Sequence, residues 1–177
     1  MIVGLMADSH DNLFQVKKAV DFFNRRKVAL VLHAGDYVAP FAIKELKKLS
    51  CPFIGVFGNN DGEKKGLKET AKQIGEIHLP PFSLQLSSKK ILLLHEPQKL
   101  SSLKIHQYNL IVYGHTHKAE IRREAGALLV NPGECGGWLS GRSTVVWVDL
   151  DKMEAEIIAL SRRVASVTGS VECPINH

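Results

Sequence analysis

The 177-residue chain has only three cysteines, Cys51, Cys135 and Cys173, an odd number at wide spacing with no C-x-x-C pair. That argues against a disulfide framework and a structural zinc knuckle, and it suits a reducing compartment. No apolar run reaches the length a bilayer requires, so no membrane span is expected. The N-terminus leads directly into a strand-like run and lacks the basic region and cleavage site of a signal peptide; a cytoplasmic location is expected. Internal repeats, low-complexity stretches and linkers are also missing. Aromatic residues make up 7% and do not interleave with a basic stripe, so nucleic acid is not an expected partner. The net charge of +5 falls largely on helix-like stretches (Lys17, Lys18, Lys44, Lys47, Lys48, Lys64, Lys65), a solvated face whose mild field still favours an anionic substrate. With 45% hydrophobic and 23% charged residues, the chain is large enough for one domain with a well-buried core over about residues 1–160 and a polar tail at 167–177. A homo-oligomer is left open.

Short continuous apolar runs at 2–7, 28–34 and 53–57, rich in Val, Ile and Leu, predict strands buried on both faces. Helical spacing of Phe14, Val16, Ala19, Val20, Phe22 and Phe23, and of Phe41, Ile43, Leu46 and Leu49, predicts helices between them, so the chain starts β-α-β-α-β with a parallel sheet. A charged helix is expected over 64–74. Strand candidates then crowd together at 82–86, 90–95, 110–113, 120–123, 128–130, 145–150 and 155–160, joined by short turns, with one further helix at 98–105. Alternation at 147–150 and 154–158 predicts antiparallel strands with one wet face. The expected fold is α/β (α+β): two mixed sheets face to face, with helices outside.

Five of these runs end in Asp, Asn or His. Ile2–Ala7 leads into Asp8-Ser9-His10, and Leu30–Ala34 into Gly35-Asp36. Phe53–Phe57 leads into Gly58-Asn59-Asn60-Asp61; the last two runs end at His95 and at Gly114-His115-Thr116-His117. Together they predict one polar site at the carboxyl edge of stacked strands. Carboxylates mixed with imidazoles suit Mn, Fe, Zn, Ni or Co better than Mg or Ca. A single zinc site needs three or four ligands, so Asp8, His10, Asp36, Asn59, His95, His115 and His117 suggest two metals, with Asp36, the carboxylate in the middle of the series, as the bridge. Asp8 and His10 would point the same way if their strand stays extended, as would His115 and His117. Two such ions roughly 3.5–4 Å apart can activate a water for in-line attack on phosphorus.

The series D-x-H, G-D, G-N-x-D, H and G-H-T-H, in order from Met1 to about Leu160, resembles the calcineurin-like metallophosphoesterases, and more narrowly their small single-domain phosphodiesterases from bacteria and archaea. The resemblance implies a four-layer αββα sandwich, two divalent transition-metal ions (Mn first; Ni, Fe, Zn or Co as alternatives) and a small phosphodiester substrate. It assigns Asp8, His10, Asp36 and His117 to one metal, with Asp36 shared, and Asn59, His95 and His115 to the second. Two departures stand out. Many relatives carry a His after the metal-binding Asn, credited with protonating the leaving oxygen; Asn60 stands there and does not titrate, although it can hydrogen-bond the phosphate. After His95, where relatives often have Gly, the chain has Glu96-Pro97. The alternative is a partner-binding scaffold like the related retromer subunit, which has a compromised metal site; a nuclease is disfavoured for want of a domain to guide nucleic acid.

Other polar residues have plainer readings. Asn12 is expected to cap the first helix, with contact to substrate phosphate as its second role. Asp61 is expected to cap the helix from 63 onward, with metal ligation as its second role. His33 is expected to hydrogen-bond within its turn, with a part in orienting a ligand as the sharper alternative; His78, His106 and His177 are taken as structural. Asn131-Pro132-Gly133 is a turn before it is a site, Cys135 a buried free thiol, and Arg142 a solvated arginine before it is an anion ligand.

Overall fold

A computed structural model describes residues 1–160; the expected tail at 167–177, with Cys173 and His177, lies outside the described residues. The first half alternates β1 (Ile2–Met6), α1 (Leu13–Arg26), β2 (Leu30–His33), α2 (Pro40–Leu46), β3 (Phe53–Val56), α3 (Lys64–Ala71) and β4 (Gly75–His78). The second half is β-rich: β5 (Phe82–Leu86), β6 (Lys89–Leu93), β7 (Leu110–Val112), β8 (Glu120–Glu124), β9 (Ala127–Asn131), β10 (Thr144–Asp149) and β11 (Glu154–Ala159). One sheet runs β11-β10-β1-β2-β3-β4 and the other β5-β6-β7-β9-β8, and both are mixed. In the first, β1 to β4 are parallel and β10 and β11 antiparallel. In the second, a parallel β6-β7-β9 centre is flanked by antiparallel β5 and β8.

The continuous apolar runs arise because β1 to β3 are covered on both faces. On one face Met6, Val31 and Phe53 pack under Val16, Val20, Phe23, Ile43, Leu46 and Leu67 of the three helices. On the other, Val3, Leu5 and Leu32 meet Ile91, Leu93, Leu110, Val112 and Val130 of the second sheet. The period of two along β1 therefore divides its residues between two cores. A third cluster, Leu92, Leu94, Ile111 and Leu129, lies under Leu100, Leu103 and Ile105 and completes the four layers of the αββα sandwich. Each such fully buried aliphatic or aromatic side chain contributes about 1.5–3 kcal/mol. No helix among the described residues is long and apolar enough to cross a membrane.

Three elements differ from expectation. The outer layer over 97–107 is not one α-helix but two 3₁₀ turns, Pro97–Ser102 and Ile105–Gln107. Ser101 and Ser102 donate their hydroxyls to the Gln98 and Lys99 carbonyls, competing with the α-helical pattern, and Leu100 and Leu103 follow a three-residue period. Strand β4 was not expected: it is an edge strand with only Ile77 buried, so it shows no apolar pattern. In β11 the expected alternation breaks at Ile157, which is exposed, whereas β10 alternates as expected over 147–150, with Trp147 and Asp149 half-buried and Val148 and Leu150 buried.

Register sets up the site. Met6 is level with His33, and His33 with Gly55, so the loops after β1, β2 and β3 leave one edge together. Leu93, Val112 and Val130 are likewise level, so the loops after β6, β7 and β9 leave the second sheet together.

Candidate metal centre

The seven expected donors come together where these edges meet, in one unbroken series. Asp8 Oδ1 lies 3.7 Å from His117 Nε2 and 4.0 Å from His10 Nε2. His10 Nε2 is 3.6 Å from Asp36 Oδ2, which is 3.4 Å from His95 Nε2. Asn59 Oδ1 then lies 2.8 Å from His95 Nε2 and 2.9 Å from His115 Nδ1. Two three-residue sets, Asp8/His10/His117 and Asp8/Asp36/His95, each bring their donor atoms within 4.8 Å of one another. The His10 and His117 rings stack with centroids 5.1 Å apart.

Extended strands do not produce this convergence. β1 ends at Met6 and β7 at Val112, and the donors sit in turns beyond them with left-handed backbone: Asp8 (φ 50°), His10 (φ 40°), Asp36 (φ 63°), His115 (φ 71°) and His117 (φ 59°). Such φ values are uncommon outside glycine, although Asp and His tolerate them better than most residues, and strain of this kind clusters at functional sites. The turns are tied together: Asp8 N donates to Gly35 O, His10 N to Asp36 O, Gly114 N to His95 O and Gly136 N to Asp8 O. Gly58 is needed for closeness, since a Cβ there would stand 2.0 Å from Asp36 Oδ1.

The donor chemistry fits divalent ions. His95 Nδ1 is 2.7 Å from the Ala34 carbonyl, so it carries the proton, and in the neutral ring Nε2 is a bare lone pair facing Asn59 Oδ1 and Asp36 Oδ2. A cation or a proton is required between those atoms. His10 Nε2 and His117 Nδ1 are buried without a hydrogen-bond partner. Burial pushes the Asp8 carboxyl up to about 7, against the lowering influence of His95 and His117, which is the condition of a carboxylate lacking enough positive charge. Burial opposes the Asp36 charge too, but the facing His95 and two N–H donors of Asn60 outweigh it and hold that carboxyl far below the usual range. For His95, burial favours the neutral ring, but Asp36 and the Ala34 carbonyl prevail and raise its pKa. His10 is lowered, chiefly by burial.

The residues around the donors do more than was expected of them. Asn60 donates its backbone N–H to Asp36 Oδ1 (2.8 Å) and its side-chain amide to Asp36 Oδ2 (2.7 Å). Asn12 accepts from Gln15 N as the helix cap and donates to the Gly136 carbonyl at 2.6 Å, tying α1 to the 136–142 loop. His33 Nδ1 accepts from Gly35 N inside its turn; its Nε2 proton then goes to Ser9 Oγ (3.1 Å), which donates to the Asp36 carbonyl (3.3 Å). Complete burial lowers His33 to about 3, so it stays neutral. Asn131 donates to the Gly114 carbonyl and Thr116 Oγ1 and accepts from Gly133 N; the turn it forms therefore pins the loop of His115 and His117. Cys135 is buried and free, its thiol pushed up to about 12 by burial, and Cys51 is also free. His78 stacks on Phe82, and His106 is exposed.

One carboxylate has a different role from the one expected, and another gave no clear signal in the sequence. Asp61 is not the cap of α3, whose N-terminus has no side-chain cap. It points back and accepts four backbone N–H groups, from Asp36 (3.1 Å), Tyr37 (2.7 Å), Val38 (2.8 Å) and Gly58 (2.7 Å). It thereby clamps the loops that carry Asp36 and Asn59. Glu134, fully buried, lies 3.4 Å from His117 Nδ1 and accepts from Leu139 N, Ser140 N and Ser140 Oγ. Its only signal in the sequence is its place directly after Asn131-Pro132-Gly133. Trp138, 65% exposed, is held at the rim by its indole N–H on the His10 carbonyl at 3.0 Å.

Residues 1–153 match the sequence profile of the calcineurin-like phosphoesterase superfamily domain. The chain is 36% identical over 165 residues to phosphodiesterase MJ0936 of Methanocaldococcus jannaschii, an alignment covering 90% of this chain and 99% of that protein. A solved archaeal phosphodiesterase superposes with a TM-score of 0.85 at 37% identity, covering 90% of this chain and all of the other. Zinc-complexed Vps29 from Entamoeba histolytica superposes at 0.62 with 16% identity, covering 91% of this chain and all of the other, a likeness of fold alone. From the donor series, the sandwich and these matches it follows that the chain belongs to the calcineurin-like phosphoesterase superfamily.

Proposed function

We propose that this protein is a metal-dependent phosphodiesterase that holds two divalent transition-metal ions, Mn²⁺ by preference, and hydrolyses a small phosphodiester. The observation that carries the reading is the unbroken donor series: His117, Asp8, His10, Asp36, His95, Asn59 and His115 follow one another at 2.8–4.0 Å. Asp8, His10, Asp36 and His117 would hold one ion, and Asp36, Asn59, His95 and His115 the other. Asp36 Oδ2 faces both His10 and His95, as a bridge requires. Ions held there would supply Lewis-acid chemistry, acidifying a water and neutralising phosphoryl charge.

The protein's own residues orient and shield. Asn60 fixes Asp36 through two N–H bonds, and the second hydrogen of its side-chain amide is free to serve a phosphoryl oxygen. Asn12, already bonded to Gln15 and Gly136, acts by holding the 136–142 loop. With no titrating group at position 60, the leaving oxygen departs without an acid from this position, and esters of acidic alcohols such as nitrophenol react best. A partner-binding scaffold on the same fold predicts a depleted donor set, and none of the seven is depleted here.

The test is hydrolysis of bis(p-nitrophenyl) phosphate by Mn²⁺-loaded protein. Activity should vanish with chelator and fall at least about a hundredfold in Asp36→Asn, the scale for losing one key electrostatic group. Metal-loaded protein with no diester activity overturns the proposal.

A further inference from the structure

On its His117 side the centre opens into two adjoining cavities. The nearer, about 390 Å³, is lined by His115, His117, Lys118, Leu139 and Ser140 among others. The next, about 440 Å³, shares His117, Lys118 and Ser140 with it and adds Arg142 and Ile157. No Asp or Glu lines either one. Among the described residues neither the Lys118 ammonium nor the Arg142 guanidinium has an ion-pair partner. The cavity on the His95 side differs: it is smaller, about 300 Å³, and its lining includes the carboxylate Glu96, which pairs with Lys99 at 2.5 Å and leaves Lys64, over the Phe57 ring, as its second cation.

The wall that presents Arg142 is built rather than loose. Buried Glu134 accepts from Leu139 N and Ser140 N, and Ser140 Oγ accepts from Arg142 N at 3.2 Å. Thr144 N closes the base of the loop on the Glu134 carbonyl. A guanidinium on such a turn offers a planar fork that matches two phosphate oxygens, with Lys118 as a second point charge. Leu139 (80% exposed) and Ile157 (38% exposed) add apolar surface to the linings.

We propose that these cavities form an anion subsite continuous with the metal centre, so that the natural substrate is a phosphodiester bearing a further phosphate on the arm that extends past His117. The substrate class rests on the phosphodiesterase reading; the subsite itself can be measured without turnover. Two matched pairs of probes test it. The first is thymidine 5′-(p-nitrophenyl phosphate) with and without a 3′-phosphate, read as kcat/KM. The second is thymidine 3′,5′-bisphosphate against thymidine 5′-phosphate, read as Kd by calorimetry. The extra phosphate should improve both about tenfold, through KM for the diester, and less so at high salt. Both ratios should fall to about one in the Lys118→Met/Arg142→Met double variant. Ratios near one in the native protein, or ratios the double variant does not change, overturn the proposal. If neither diester is hydrolysed yet the Kd ratio depends on Lys118 and Arg142, the phosphodiesterase reading and the substrate class fall while the anion subsite stands.

Discussion

Replacing Asp61 should show how much the site depends on a residue that touches no candidate metal position. Its carboxylate is 2% exposed and takes four backbone N–H groups, two on each oxygen: Tyr37 and Val38 on Oδ1, Asp36 and Gly58 on Oδ2. In Asp61→Ala all four lose their acceptor. At a net ~1 kcal/mol for each bond, with water entering the space left behind, the loss is about 4 kcal/mol. For a chain of this length that corresponds to roughly 8–16 °C in Tm. Asp61→Asn is not a rescue: whichever way the amide lies, its NH₂ faces two N–H donors, so about half of the stabilisation or more should still be lost. Urea unfolding at pH 7 without metal gives the first number, and metal affinity by calorimetry should fall in step, since the clamped loops carry Asp36 and Asn59. A loss below about 1 kcal/mol in Asp61→Ala would refute the clamp.

Glu134→Gln removes the carboxylate beside His117 Nδ1 and should weaken metal binding about 10–100-fold, as expected for a carboxylate that orients a ligand histidine; an unchanged affinity means Glu134 serves only its loop. Among the contributions to the pH dependence of metal-free stability, those of Asp8 and His33 oppose each other. Asp8, raised to about 7, binds a proton more tightly folded than unfolded, so its contribution is full below about pH 4 and is lost as pH rises through 7. His33, lowered to about 3, works in the other direction: its contribution is full above about pH 6.5 and is lost as pH falls towards 3. In the native chain these offset each other between pH 4 and 6.5. In Asp8→Asn, stability should climb across that window, by on the order of 3 kcal/mol; a flat profile in the variant contradicts the assignment. Asn60→His should lessen the dependence of diester hydrolysis on leaving-group acidity, measured across aryl and alkyl esters, and an unaltered dependence removes position 60 from leaving-group chemistry.

The parts of this structure legible in the sequence are those written in burial and in donor type. Runs such as Ile2–Ala7 are apolar throughout because helices cover one face and the second sheet the other, and they end where Asp8, Asp36, Asn59, His95 and His115 begin. Edge strand β4 was hidden because it buries a single side chain. The 3₁₀ turns at 97–107 share their apolar residues with any helix and differ only in period and in competing serines. Asp61 and Glu134 were hidden for another reason. Asp61 binds only backbone N–H groups and Glu134 mostly so, and since every residue but proline carries one, no partner residue type marks the contact. Asp61 has the spacing of a helix cap, and only the loop geometry turns it towards β2. The left-handed turns that aim the donors were equally invisible, since Asp and His are allowed there without announcing it.

The proposed phosphodiesterase activity requires two ions held together by Asp36. The measurement that tests it most directly is hydrolysis of bis(p-nitrophenyl) phosphate by metal-free protein titrated with Mn²⁺, with bound metal counted at each point. Activity should stay low through the first equivalent, rise steeply through the second and level off at two ions per chain. Full activity at one ion per chain, or none at two, would contradict the account.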